Sequence, residues 1–323
     1  MLKPTAILLV GATGTWGGFV TQALAAQSHI FTRIAVYHNT ARPTDEAKQA
    51  KLEKFRKSGL EIVVGSGYEN PEPFHGFDCV MIFAGNHGLH EQPQIIDSAI
   101  AGGVRHFYPS EYGADLLVGD NWNQRYYKYK VMTRQHLQKR AAEYPDLGWT
   151  YFVVGRLTEW AIISHFGIDN YNAKASIYGT EAGKQSLIGV DDAVAYLLET
   201  LKEPIAEIQN GQLLGKKRTY RISGSSPTYK EIFETLERVT GRRYNVTYLE
   251  VESASIEEAD AKRREDIEQE LAASHKLVQG RQGTLVPYPW DNSRFPSIQP
   301  RSVEECLRAA FQNRNWRVAY GLN

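Results

Sequence analysis

Three features of this sequence predict a doubly wound parallel α/β fold for its first half. Short apolar runs alternate with longer stretches of helical period. A glycine-rich turn, Gly11-Ala12-Thr13-Gly14-Thr15-Trp16-Gly17, joins the first apolar run to the first helical stretch. Glycines also follow two helical stretches where C-caps belong, Gly59 after Lys57 and Gly102-Gly103 after Ala101. Strands that alternate with helices need crossover connections, and these cover a parallel sheet on both faces.

The expected strands are Thr5–Val10, Thr32–His38, Glu61–Val64, Cys79–Phe83, Arg105–Tyr108 and Thr150–Val154. Between them the helical period marks Gly18–Ala26, Thr44–Lys57, Glu91–Ala101 and Asn123–Glu143. The second half is less regular. Asp191–Leu201 reads as a helix, Thr219–Ile222 as a strand, and Thr228–Thr240 as a helix bounded by Pro227 and Gly241. Ser253–Leu277 reads as one charged amphipathic helix with a solvated face, followed by an aromatic loop from Tyr288 to Pro296. A division near Gly155 is expected: a cofactor domain over 1–155, and a smaller substrate-binding part over 156–323 with some elements returning to the first sheet.

Composition narrows the class. Of 323 residues, 42% are hydrophobic and 23% charged, which is ordinary for a globular protein. Lysine plus arginine equals aspartate plus glutamate, at 37 each, so no global field favours nucleic acid or an anionic membrane. No apolar run approaches the roughly 20 residues of a spanning helix. The first strand begins almost at once, leaving no room for a signal peptide, and a cytoplasmic location is expected. Cys79 and Cys306 stand far apart in no metal-type spacing. Without a secretory signal, the glycosylation pattern Asn245-Val246-Thr247 is read as accidental. His87-Gly88-Leu89-His90-Glu91 gathers three potential ligands but lacks the fixed spacing of a helical metal site. No metal is expected, and contact of His87 or His90 with a cofactor or substrate is the better reading. Trp160, Phe166, Tyr171 and Tyr178 suit either an aromatic pocket or ordinary core packing.

A strand, a glycine turn and a helix start together make a phosphate site. Backbone N–H groups at the helix N-terminus and the helix dipole both favour an anion. This points to a dinucleotide in the Rossmann manner. The second strand ends Val36-Tyr37-His38-Asn39 without the acidic residue that holds a ribose 2′-hydroxyl, and Arg42 and Lys48 follow. Cations suit a 2′-phosphate, so NADP(H) is expected over NAD. The expected cofactor-binding residues are Gly11, Thr13, Gly14, Thr15, Trp16, Gly17, His38, Arg42 and Ala84, with Lys130.

Chemistry is sought at the carboxyl ends of the strands, which face the ligand crevice in such a sheet. Ser110 follows the fifth strand and is expected near the nicotinamide. Tyr126 and Lys130 are four apart in a helix-like stretch and would share a helix face. An ammonium beside a phenol eases proton exchange, and a partly desolvated lysine can itself be the acid or base. The same stretch also fits a solvated aromatic helix with incidental lysines. No serine-hydrolase elbow is present.

Several segments resemble the NmrA-like and isoflavone reductase-like group of atypical short-chain dehydrogenases. They are Gly11–Gly17, Gln92-Pro-Gln-Ile-Ile, Ala101–Gly113 with its Phe-Tyr-Pro-Ser-Glu-Tyr-Gly stretch, Lys130-Val-Met-Thr-Arg134, and Val246–Glu258. The resemblance covers most of the chain and is tightest over roughly the first half. It implies NADPH-dependent reduction of a small aromatic or conjugated carbonyl compound in secondary metabolism. The group's catalytic lysine opens a Lys-x-x-x-Arg pattern and carries over to Lys130, ranked ahead of Tyr126 and Ser110. The resemblance also admits an NADP-binding regulator without turnover, or a non-redox isomerase or cyclase. Oligomerisation is left open. The chain departs from plant-type members at Tyr37-His38, at Leu116–Asn123 and at Arg156-Leu-Thr-Glu-Trp160. These stretches are expected to line the substrate pocket, which points to a substrate other than a plant phenolic.

Overall fold

The computed structural model describes residues 2–322. Its contacts divide the chain into two compact units. The first comprises Met1–Glu111, Tyr129–Phe152 and Val194–Tyr220, and the second comprises Tyr112–Lys128, Val153–Ala193 and Arg221–Asn323. The chain therefore crosses between units several times, whereas the sequence suggests one division near Gly155.

The first unit is built on β1 (Ala6–Val10), β2 (Arg33–Asn39), β3 (Glu61–Gly65), β4 (Cys79–Ile82), β5 (His106–Tyr108) and β6 (Gly148–Val153). These pair in parallel. With the strand Lys217–Arg221 beside β6, the spatial order places β4 and β2 on either side of β1, and the order reverses there. That reversal is the topological switch point, where a doubly wound sheet opens its ligand crevice. Every residue of β1 is buried, as expected of a strand covered on both faces. The core joins Leu8, Val80, Ile82 and Phe107 to Ile95 and Ile96 of the helix α3 (Gln92–Ala101).

Local signals explain the helix starts. The helix α1 (Thr15–Ala26) begins directly after Gly14, and α2 (Glu46–Lys57) begins where the Asp45 side chain accepts the Lys48 N–H. One expected helix starts later than its period suggests. Asn121–Asn123 and Arg125–Tyr127 form 3₁₀ turns, and α4 runs only over Lys128–Glu143. Extended backbone at Gln124 separates the two turns. The second turn is held from outside: Ser274 Oγ accepts the Tyr126 N–H at 3.0 Å, and Arg125 pairs with Glu270 at 3.0 Å.

The second unit contains a three-stranded sheet of Ile168–Asp169, Lys174–Tyr178 and Asn245–Leu249, with Lys174–Tyr178 in the middle. Ile177, Leu187, Ile232, Leu236 and Leu307 form part of its core. The helix Tyr229–Thr240 carries a capping box between Thr228 and Glu231 and ends at left-handed Gly241. The single helix expected over Ser253–Leu277 is two, Val251–Arg263 and Ile267–Gly280. Glu265 takes a positive φ of 57°, and Asp266 caps the second helix through the Gln269 N–H. In the first unit, Asn210 and Gly211 both take positive φ and close a hairpin between Ala206–Gln209 and Gln212–Gly215, a turn pair passed over in the sequence. No described helix is long and apolar enough to cross a membrane.

One buried acid in the second unit gives a direct test of this packing. Glu159 is 5% exposed, and its Oε2 accepts the Val190 N–H at 3.0 Å. Burial pushes its carboxyl up from 4.5 to about 7, against the pull of backbone N–H groups and Arg301. A carboxyl raised on folding contributes most at and below its unfolded value, and that contribution is lost as pH rises from 4.5 to about 7. Urea unfolding at pH 5 and pH 8 is expected to show Glu159→Gln losing about 2–3 kcal/mol of the wild type's pH dependence. Parallel behaviour of the two proteins would contradict the placement.

Candidate functional site

The glycine turn after β1 is shaped for close backbone approach. Gly11 takes φ of 82°, and a Cβ there would stand 2.4 Å from the Phe83 carbonyl oxygen. A Cβ on Gly17 would stand 2.5 Å from the Gly11 oxygen, and one on Gly14 would stand 3.2 Å from it. The turn is closed by the Gly14 N–H donating to Gly11 O at 3.0 Å. Gly14 caps α1 with no side chain accepting from the helix. Thr15, Trp16 and Gly17 form the first turn of α1, where backbone N–H groups and the helix dipole favour an anion.

Beside this turn lies a cavity of about 260 Å³ within the first unit. Gly11, Thr13, Gly14, Arg42 and Ala84 line it, with Glu91. Five of the residues expected from sequence to hold a cofactor are thus together. His38 is half-buried near the end of β2 and is not among that lining. Burial lowers its pKa, and Lys48 adds to the effect. Arg42 is ion-paired with Glu91 across the cavity wall. Lys51 is a residue the sequence reading passed over. Its Nζ donates to the Thr13 carbonyl at 2.8 Å, which brings an ammonium to the glycine turn. The signal was available, since lysines recur every third residue along α2 at 48, 51, 54 and 57. These glycines, the uncapped helix start and the two cations fit a dinucleotide.

The strand ends carry a second constellation in the same unit. Gln92, 1% exposed, accepts the Ser110 N–H at 2.7 Å and donates to Thr133 Oγ1 at 3.2 Å. Ser110 donates its hydroxyl to the Ala84 carbonyl at 2.8 Å. The end of β4, the turn after β5, the start of α3 and the helix α4 are thereby tied together. Next to Ser110, Glu111 holds Arg134 through two hydrogen bonds of 2.9 Å, and both groups are buried. The Arg134 guanidinium also lies over the Tyr151 ring, 4.2 Å from its centroid. Lys130 stands one helical turn before Arg134 and is half-buried. Burial lowers its pKa, the Glu111 carboxylate opposes this, and Arg134 lowers it further. Sequence reasoning assigned no role to Gln92, Glu111 or Arg134, although all three lie in the segments that carry the resemblance.

Tyr126 lies in the 3₁₀ turn Arg125–Tyr127. It precedes α4, belongs to the second unit, and stacks on His275 at 4.3 Å between ring centroids. The helix α4 itself thus starts after Tyr126, and the 3₁₀ turn that holds this residue leads directly into Lys128.

The Glu111–Arg134 pair has a testable cost. Removing one member leaves a buried charge uncompensated, so Arg134→Ala is expected to lose about 3–5 kcal/mol of unfolding free energy. Replacing both members with methionine is expected to recover most of that loss in urea denaturation. Equal losses in the single and double variants would show that the pair does not act as a unit.

Comparison with known proteins gives the lineage. The sequence profile of the NmrA-like family matches residues 3–279. An isoflavone reductase homolog from Zea mays is 25% identical over 260 residues, covering 76% of this chain and 78% of the relative. The oxidoreductase aprR of Aspergillus flavus is 25% identical over 318 residues, covering 93% and 97%. A solved structure described as AtPrR2 with NADP+ and (+)pinoresinol aligns with a TM-score of 0.77 at 19% identity, over 96% of this chain and 99% of that one. At that identity the likeness speaks for the fold. With a family profile spanning most of its length, this chain belongs to the NmrA-like family.

Proposed function

We propose that this protein is an NADP(H)-dependent oxidoreductase that reduces a small aromatic or conjugated carbonyl compound, with Lys130 as proton donor. The observation that carries the reading is Lys130 on α4, half-buried and one turn from an arginine clamped by Glu111, in the unit that holds the glycine cavity. Relatives named isoflavone reductase homolog and oxidoreductase, and a structural neighbour described with NADP+ and pinoresinol, support the reaction class.

The chain's own residues divide the work. The glycine turn and the start of α1 receive the pyrophosphate, and Arg42 and Lys51 supply positive charge toward a 2′-phosphate. A bound NADPH supplies hydride to an electron-poor carbon of the substrate. Lys130 holds a proton on Nζ and donates it to the substrate oxygen on which negative charge develops. Its lowered pKa brings proton release closer to neutral pH. Ser110, committed to the Ala84 carbonyl, fixes the turn that precedes Glu111. Tyr126, whose ring stacks on His275, does not serve as the main acid.

NADPH absorbance with a panel of aromatic enones tests this directly. Lys130→Ala is expected to lose about 10²- to 10⁴-fold in turnover while NADPH affinity stays within a few-fold. Because the acid must be protonated, wild-type turnover is expected to fall as pH rises through the depressed Lys130 pKa. Tyr126→Phe is expected to lose less than Lys130→Ala. Intact turnover in Lys130→Ala would overturn the assignment, and absence of NADPH binding would overturn the cofactor.

A further inference from the structure

The second unit buries a cation that has no carboxylate partner among the described residues. Arg156, 7% exposed, follows β6 in the stretch where the sequence departs from plant-type members. Its NH1 reaches the Gln185 side-chain oxygen at 3.4 Å, and its other polar neighbour is the neutral Tyr229 phenol. The titratable groups near enough to act on it include the phenols of Tyr229, Tyr127 and Tyr126, and the His165 imidazole feels its charge. The other buried or half-buried arginines of this unit differ. Arg125 has Glu270, and Arg221 has Asp115 at 2.7 Å. Burying a charge without a counter-charge is costly, and a folded chain keeps such a group only where something offsets it.

The surroundings indicate what that is. The Arg156 guanidinium lies over the Phe166 ring, 3.7 Å from its centroid. Phe166 meets His275 edge-on at 5.0 Å, and His275 stacks on Tyr126 at 4.3 Å with an interplanar angle of 8°. Phe166 and Tyr126 are half-buried and His165 is exposed, so this row of rings reaches the surface of the unit. A row of rings ending in a guanidinium that has no carboxylate among the described residues matches a flat aromatic molecule that carries one. Rings stack on rings, and a guanidinium offers two parallel N–H groups to a carboxylate.

We infer that the second unit selects an aromatic acid, with Arg156 binding its carboxylate and the Tyr126–His275–Phe166 row receiving its ring. This rests on the reading of the chain as a reductase of small aromatic compounds and names the substrate's charge. Arg156 is then a specificity residue that sets which aromatic compound is held. The exposed guanidinium of a surface arginine would give little selectivity, whereas a desolvated one rejects a neutral analogue strongly because its donors are left unpaired.

Calorimetric titration of the full chain with 4-hydroxycinnamate and with its methyl ester tests the inference. The acid is expected to bind at least tenfold more tightly than the ester. Arg156→Gln is expected to abolish that preference, and Arg156→Lys to retain part of it. The melting temperature of Arg156→Met is expected to hold or rise, because a buried charge with no carboxylate partner is removed. Equal affinity for acid and ester, binding of neither, or an unchanged preference in Arg156→Gln would overturn the inference. So would a large drop in the melting temperature of Arg156→Met with acid preference retained in Arg156→Gln, which assigns the arginine a structural role. NADPH titration of wild type and Arg156→Gln, run in parallel, reports separately on the cofactor. Loss of NADPH binding in the wild type counts against the reductase reading alone.

Discussion

The buried Glu111–Arg134 pair is the contact on which the arrangement of the first unit depends. It joins the turn after β5 to the helix α4 by two hydrogen bonds of 2.9 Å in a water-excluded setting. A bidentate carboxylate–guanidinium pair fixes orientation as well as distance, so it sets the rotation of α4 about its own axis. Lys130, one turn earlier on the same helix, inherits that rotation. The Gln92 bridge between Ser110 and Thr133 fixes the same helix from α3. Two independent ties explain why the Pro-Ser-Glu and Lys-x-x-x-Arg segments occur together: each supplies half of one pair.

Only part of the charge at the dinucleotide cavity is neutralised. Arg42 is held by Glu91, and the Lys51 ammonium rests on the Thr13 carbonyl. A 2′-phosphate must draw Arg42 away from Glu91, so affinity reflects the difference between two ion pairs. The exposed setting of this pair keeps that exchange small in energy, since partly solvated pairs contribute little. The glycines constrain the same site through packing. At Gly11 and Gly17 the obstacle is backbone oxygen, which cannot move aside as a flexible side chain would.

Much of the first unit was legible in the sequence because its signals are local and strong. The fully buried run Ala6–Val10, the glycine turn and the capped helices each announce themselves within a few residues. Five expected cofactor residues line one cavity for the same reason. What escaped is governed by contacts distant in sequence. Tyr126 leaves the helical period because its N–H is held by Ser274, 148 residues away. Asn121 is likewise fixed by the carbonyls of Asp115 and Gly283. The break at Glu265 hides in a run whose charge pattern continues through it. Lys51 and the Asn210-Gly211 turn carried local signals that were simply weaker than their neighbours'.

The central claim is that Lys130 is a proton donor tuned by burial and by the Glu111–Arg134 pair. The most direct measurement is the titration of the Lys130 amine by NMR after ¹³C-dimethylation, in wild type and in Glu111→Gln. Because the Glu111 carboxylate raises the Lys130 pKa, neutralising it is expected to lower a value already below that of an ordinary lysine. An ordinary lysine value in the wild type, or one that does not move in Glu111→Gln, would contradict the account.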